Sequence, residues 1–137
     1  MGTSLGGFYA TYVRSLNHSD AIKVQALNPS WSPSKTLSRS VNKLQENYKT
    51  GINWEFSESF LSDLAQFEKE AKSRLKNYNG THYTLHLANS DECLDFSDLL
   101  AYLNENKVPN KTFYYDTNHR FEKVIEMLDN CKADLSL

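Results

Sequence analysis

Three short β-rich runs, separated by longer stretches with helical spacing, constrain this chain more than any other feature. Ala21 to Leu27 (AIKVQAL) is rich in strand formers and stops at Asn28-Pro29, a turn signal. Thr81 to Ala88 (THYTLHLA) alternates and ends at Asn89-Ser90-Asp91. Lys111 to Tyr115 (KTFYY) is short, aromatic and preceded by Pro109-Asn110. Helical patterns fill the intervals. They cover Leu5 to Leu16, and Lys35 to Tyr48 with Leu37, Val41 and Leu44 on one face. Ser57 to Leu75 places Phe60, Leu61, Leu64, Phe67 and Ala71 at helical spacing, with Ser57 suited to an N-cap. Ser97 to Asn106 and Arg120 to Leu128 complete the set. Strands that alternate with helices pair in parallel through right-handed crossovers. The expectation is an α/β fold, a parallel sheet with flanking helices, in one domain spanning 1–137. No strand pattern precedes the glycine-rich turn that opens the chain.

Composition removes several function classes. Lys and Arg number 15 and Asp and Glu 17, a net charge of −2, so the basic footprint of a nucleic-acid binder is missing. No apolar run approaches the ~20 residues that cross a bilayer. Residues Met1 to Gly7 lack the charged and apolar regions of a signal peptide. Cys93 and Cys131 are too few for a disulfide framework, which makes a reducing, cytoplasmic setting the expectation. The three N-x-[ST] sequons, at Asn17, Asn79 and Asn110, carry no meaning in that setting.

Gly2-Thr3-Ser4-Leu5-Gly6 fits G-x-S-x-G, the nucleophile elbow. In that motif the serine occupies a sharp, strained strand-to-helix turn. The flanking glycines, Gly2 and Gly6, are expected to keep side chains from colliding there. The following helix points its N-terminus at a developing oxyanion, and the backbone N–H of Leu5 is the first donor to it. Asp91 lies just past the Thr81–Ala88 run, where open parallel sheets gather their functional groups. Asp95 is the alternative acid, although its place before Phe96 and Ser97 suits a helix cap better. His119 follows the Lys111–Tyr115 run. The chain order Ser4, Asp91, His119 is the Ser…Asp…His order of α/β-hydrolases.

These segments also resemble the small bacterial YqiA/YcfP-like esterases. Gly2 to Ala10 (GTSLGGFYA) is similar to that family's G-x-S-L-G-G-[YF]-[YW]-A elbow. Leu27-Asn28-Pro29 resembles its asparagine-proline turn, and Tyr48-Lys49-Thr50-Gly51 its Y-T-G segment. Asp91 to Phe96 (DECLDF) looks like D-E-V-L-D-Y, and Asn118 to Phe121 (NHRF) like N-H-A-F. The resemblance implies a serine esterase with Ser4 as nucleophile, His119 as general base and acid, and Asp91 as its orienter. It implies a small-molecule ester substrate, no organic cofactor and no metal. Family members begin with an L-H-G-F segment that supplies the second oxyanion donor and further strands, and nothing here corresponds to it. The expectation is therefore a partial α/β-hydrolase fold lacking the N-terminal strands. A truncated, inactive remnant, or a fragment that binds a partner or self-associates through an incomplete sheet edge, is the alternative.

Other residues have weaker readings. His82 and His86 share strand parity, but without a third ligand they read as packed or solvated. Cys93 reads as a buried small hydrophobe, at the place of the family's valine, before it reads as a nucleophile paired with His119. Glu68 to Lys76 reads as the wet face of a helix. Trp31, Trp54, Phe56 and Phe60 either line an acyl pocket or fill the core.

Overall fold

The computed structural model describes residues 1–47 and 49–135, with side chains through Lys132. Its centre is a four-stranded parallel sheet in the order β1-β2-β5-β6, with β1 Gly2–Thr3, β2 Val24–Leu27, β5 Tyr83–Ala88 and β6 Lys111–Tyr115. All three predicted strands are present, two of them trimmed at their N-terminal ends. The fourth, β1, corrects the expectation that no strand leads into Ser4: Gly2 pairs with Ala26 and Thr3 with Leu27. Two residues are too few to show a period of two, so no sequence pattern could reveal it.

Every residue of β5 is buried, because the sheet is covered on both faces. On one face Tyr83, Leu85 and Leu87 pack with Val24 and Ala26 against Leu75 of α3 (Glu58–Leu75) and Leu99 and Leu103 of α4 (Ser97–Glu105). On the other, Leu27, Ala88 and Tyr115 pack with Phe121 and with Met127 and Cys131 of α5 (Val124–Leu135). His86 points into this second layer. Its Nδ1 lies 2.7 Å from the Tyr115 hydroxyl and its Nε2 2.6 Å from Gln25 Oε1, and its ring stacks on Phe113. It is a core histidine with both nitrogens engaged, and His82 lies ahead of the strand. Helix α1 (Leu5–Leu16) matches its predicted span, and Ser57 caps α3 by accepting the Phe60 N–H at 3.2 Å.

Three expectations change. The helix predicted over Lys35 to Tyr48 is instead α2 (Pro33–Leu37), a 3-10 turn over Ser38–Ser40, and an antiparallel hairpin of β3 (Leu44–Glu46) and β4 (Asn53–Glu55). Serines and asparagine favour turns over helix interiors, and Asn42 takes φ 57° while its N–H bonds the Phe56 carbonyl at 3.0 Å. The hairpin closes at Asn47 and Gly51 (φ 68°), with a 2.7 Å bond from the Gly51 N–H to the Asn47 carbonyl; Tyr48 lies outside the described residues. The last helix starts at Val124, not Arg120, because residues 117–121 form a turn. That turn ends with Phe121 at φ 56°, its ring buried against Tyr115. Glu68 is not on a wet face: it is 8% exposed and accepts the Ser34 N–H at 2.6 Å, tying α2 to α3.

Candidate active site

Ser4 occupies the junction of β1 and α1 at φ 53°, ψ −118°, a region that non-glycine residues rarely enter. Such a conformation costs on the order of 1–3 kcal/mol and persists only where neighbours over-determine it. Here three backbone bonds do so. The Ser4 N–H donates to the Leu27 carbonyl at 3.0 Å, and the Ser4 carbonyl accepts from Phe8 at 3.1 Å and Ser30 at 3.0 Å. The glycines divide unequally. A Cβ on Gly2 would lie 2.0 Å from the Gly6 carbonyl oxygen, and one on Gly7 would lie 2.8 Å from Pro29 Cα. A Cβ on Gly6 would meet nothing within 4 Å, which corrects the expectation that Gly6 prevents a collision. The crowding belongs to Gly2 and Gly7. Gly2→Ala is therefore expected to destabilise the fold by about 1–3 kcal/mol or more. Gly6→Ala, in the first turn of α1, is expected to be neutral or stabilising by up to ~1 kcal/mol. Urea unfolding of the two variants checks the contrast.

The loops after β5 and β6 meet this elbow. His119 Nδ1 lies 2.7 Å from Asp91 Oδ2, and His119 Nε2 lies 3.2 Å from Ser4 Oγ. The Asp91 side chain is 2% exposed, and its other oxygen accepts the N–H groups of Cys93 and Leu94, both at 2.8 Å. An ionised carboxylate only accepts, so it holds the proton on Nδ1 and leaves the Nε2 lone pair facing Ser4. The backbone N–H of His119 donates to Glu92 Oε2 at 3.1 Å, and that bond leads the influences holding the Glu92 carboxyl below its ordinary range. Asp95 does not join the chain. Its Oδ1 accepts the Ser97 N–H at 2.8 Å at the start of α4, and this bonding lowers its carboxyl. Leu5 is the first residue of α1, where backbone N–H groups have no intrahelical acceptor.

One positioning residue escaped the sequence reading. Asn28 is fully buried at φ 39°, and its Oδ1 accepts the Ala88 N–H at 2.8 Å. Its Nδ2 donates to the His119 carbonyl at 3.2 Å and lies 3.4 Å from that of Asn118. It ties the ends of β2 and β5 to the histidine loop. The sequence signals only a turn at Asn28-Pro29, because the partners lie about 60 and 90 residues away.

Cys93 is exposed, not a buried hydrophobe. Lost hydration, followed by the carboxylates of Glu92 and Asp91, pushes its thiol above the ordinary range, which disfavours a thiolate nucleophile. Beside the Asp91 loop lies a cleft of about 410 Å³ whose walls include Trp31, Lys35, Arg39, Leu94 and Asp98. Of the four aromatics in question, Trp31 serves both purposes, being buried in the core and facing this cleft. Phe56 is core, whereas Trp54 is exposed and Phe60 marginally so. No described helix is long and apolar enough to cross a membrane.

Comparison with known proteins bears on the fold and the family. Among solved structures, Est1E from Butyrivibrio proteoclasticus with bound ferulic acid superposes with a TM-score of 0.65 at 12% identity, over 98% of this chain and 56% of that one. The S-formylglutathione hydrolase FrmB from Staphylococcus aureus gives 0.60 at 13% identity, over 93% and 47%. A ferulic acid esterase gives 0.58 at 18% identity, over 95% and 48%. At these identities the likeness establishes the fold, which is that of α/β-hydrolases. The chain spans about half the length of these enzymes. No curated protein matches the sequence significantly. The profile of an uncharacterised protein family, UPF0227, matches residues 1–135, so the chain belongs to that family, the YqiA/YcfP-like group its motifs resemble.

Proposed function

We propose that this chain is a serine hydrolase that cleaves carboxylic esters through an acyl-enzyme. The observation that carries the reading is the continuous hydrogen-bond chain from Asp91 through His119 to Ser4, at 2.7 and 3.2 Å. Ser4 Oγ attacks the ester carbonyl while His119 Nε2 takes its proton. Asp91 fixes the tautomer and stabilises the imidazolium that forms. The Leu5 N–H, at the positive end of α1, faces the developing oxyanion. The tetrahedral intermediate collapses as His119 returns the proton to the leaving alcohol, which departs. Water, deprotonated by His119, then attacks the acyl-enzyme and frees the acid and Ser4.

The substrate is a small ester. The solved neighbours are about twice as long, and in the family that the chain resembles the second oxyanion donor lies on an L-H-G-F segment without counterpart in residues 1–137. One missing donor lowers turnover by roughly a hundred- to a thousandfold. Residues 1–137 assayed by themselves are accordingly expected to turn over slowly. The test is a stopped-flow assay with p-nitrophenyl acetate: a burst of one p-nitrophenol per chain, with an acetyl group on Ser4 by peptide mass, supports the reading. Release without a burst, with Ser4 unmodified, counts against it.

The second reading is an inactive remnant that pairs with a partner or a second copy. What favours it is β1, an edge strand of only two residues whose far side has no neighbouring strand among the described residues. It predicts a folded chain without the acetyl adduct.

A further inference from the structure

The donor set around the histidine has a property that ester hydrolysis does not use. One ligand atom each from Asp91, Cys93 and His119 lies within 4.8 Å of the other two. Oxygen, sulfur and nitrogen in that combination suit zinc among biological divalent ions. Around tetrahedral zinc, with bonds of 2.0–2.3 Å, ligand atoms sit about 3.5 Å apart, so the Asp91–His119 pair, now 2.7 Å apart, opens by under roughly an ångström while the wider separations, up to 4.8 Å, close by about as much. The rearrangement exchanges the Asp91–His119 hydrogen bond for a metal bond to each of the two groups. Cys93 is exposed and its thiol is not tied up in a disulfide. The Asp91 carboxylate is already held by two backbone N–H groups on its other oxygen.

We propose that Asp91, Cys93 and His119 form a zinc-binding site that switches the hydrolase off. The switch follows from proton placement, and its inhibitory consequence rests on the function proposed above. Zinc enters between Asp91 Oδ2 and His119 Nδ1 and takes the Nδ1 lone pair. The Nδ1 proton moves to Nε2, through water. The imidazole then presents an N–H, in place of a lone pair, to Ser4 Oγ, and the general base is lost. The Cys93 thiol releases its proton to solvent on coordination, so one proton leaves per zinc bound. Because the coordinating thiol must give up its proton, binding weakens as the pH falls. Water fills the fourth position.

Cobalt(II) and zinc(II) are the probes, on the whole purified chain. Cobalt is expected to bind one per chain with a near-ultraviolet thiolate-to-cobalt band. That band disappears in Cys93→Ser and in Cys93→Val, two substitutions at an exposed position, and persists in Ser4→Ala. Zinc affinity, by competition with a chromogenic chelator, is expected to fall at least about tenfold in both Cys93 variants. Zinc is also expected to block fluorophosphonate labelling of Ser4, with EDTA restoring it. Absence of a thiolate band, a band that survives loss of Cys93, or unchanged zinc affinity in the variants overturns the site. Labelling that proceeds at saturating zinc overturns the switch. A cobalt band in a chain that never labels supports the site while rejecting the hydrolase reading, so the two ideas fail separately.

Discussion

Replacing His119 by alanine is expected to lower ester hydrolysis by about a millionfold in kcat, close to the effect of replacing Ser4 itself. The size follows from the geometry. Ser4 Oγ has His119 Nε2 in line as a proton acceptor at 3.2 Å, and a hydroxyl near neutral pH is a poor nucleophile without such an acceptor. Members of such a unit act together, so the double variant Ser4→Ala, His119→Ala should be hardly slower than either single one. His119 is about one-fifth exposed at its side chain, and its side-chain donation goes to Asp91, whose other oxygen keeps two backbone N–H partners, so circular dichroism should remain close to that of the parent, with a modest loss in urea unfolding. Steady-state hydrolysis of p-nitrophenyl acetate measures the loss. A reduction of less than tenfold would mean that His119 is not the base.

Asp91→Asn is expected to cost about ten-thousandfold in kcat, and Asp95→Asn almost nothing. An asparagine at 91 can still accept the Cys93 and Leu94 N–H groups, which preserves the loop. Its amide, however, offers an N–H to His119 Nδ1 where the carboxylate offered an acceptor. The imidazole then carries its proton on Nε2, facing Ser4 with a donor, and the imidazolium of the transition state loses its counter-charge. Asp95 touches neither group: its carboxylate is bound to the Ser97 N–H, so its amide variant perturbs only the entry to α4. The pair of variants decides between two acids four residues apart. Comparable losses in both would contradict the assignment of Asp91.

How much of this was legible in the sequence differs by element. Helix α1 and strands β5 and β6 were readable because each is a continuous run whose period survives in its own residues. The hairpin of β3 and β4 was not, since strands of three residues carry no period and Leu37, Val41 and Leu44 mimic helical spacing. Leu37 and Val41 do pack inward against Phe8 and Leu64, but Leu44 is 69% exposed. Ser4, Asp91 and His119 could be found because each stands at an elbow or just past a strand, and their order adds information that no single residue holds. The geometry brings all three within bonding distance. The part played by Asn28 was hidden, because burial and three distant partners define it while the local sequence shows only a turn. That Gly7 is crowded and Gly6 is not was hidden for a similar reason: the Gly7 collision is with Pro29, on another segment.

The most direct test of the central claim, that this chain carries an activated serine, is fluorophosphonate labelling of the purified protein read by intact mass, with Ser4→Ala in parallel. The account predicts one adduct per chain in the parent, on Ser4, and none in the variant. A folded parent that stays unlabelled, or a Ser4→Ala variant that labels equally, would contradict it.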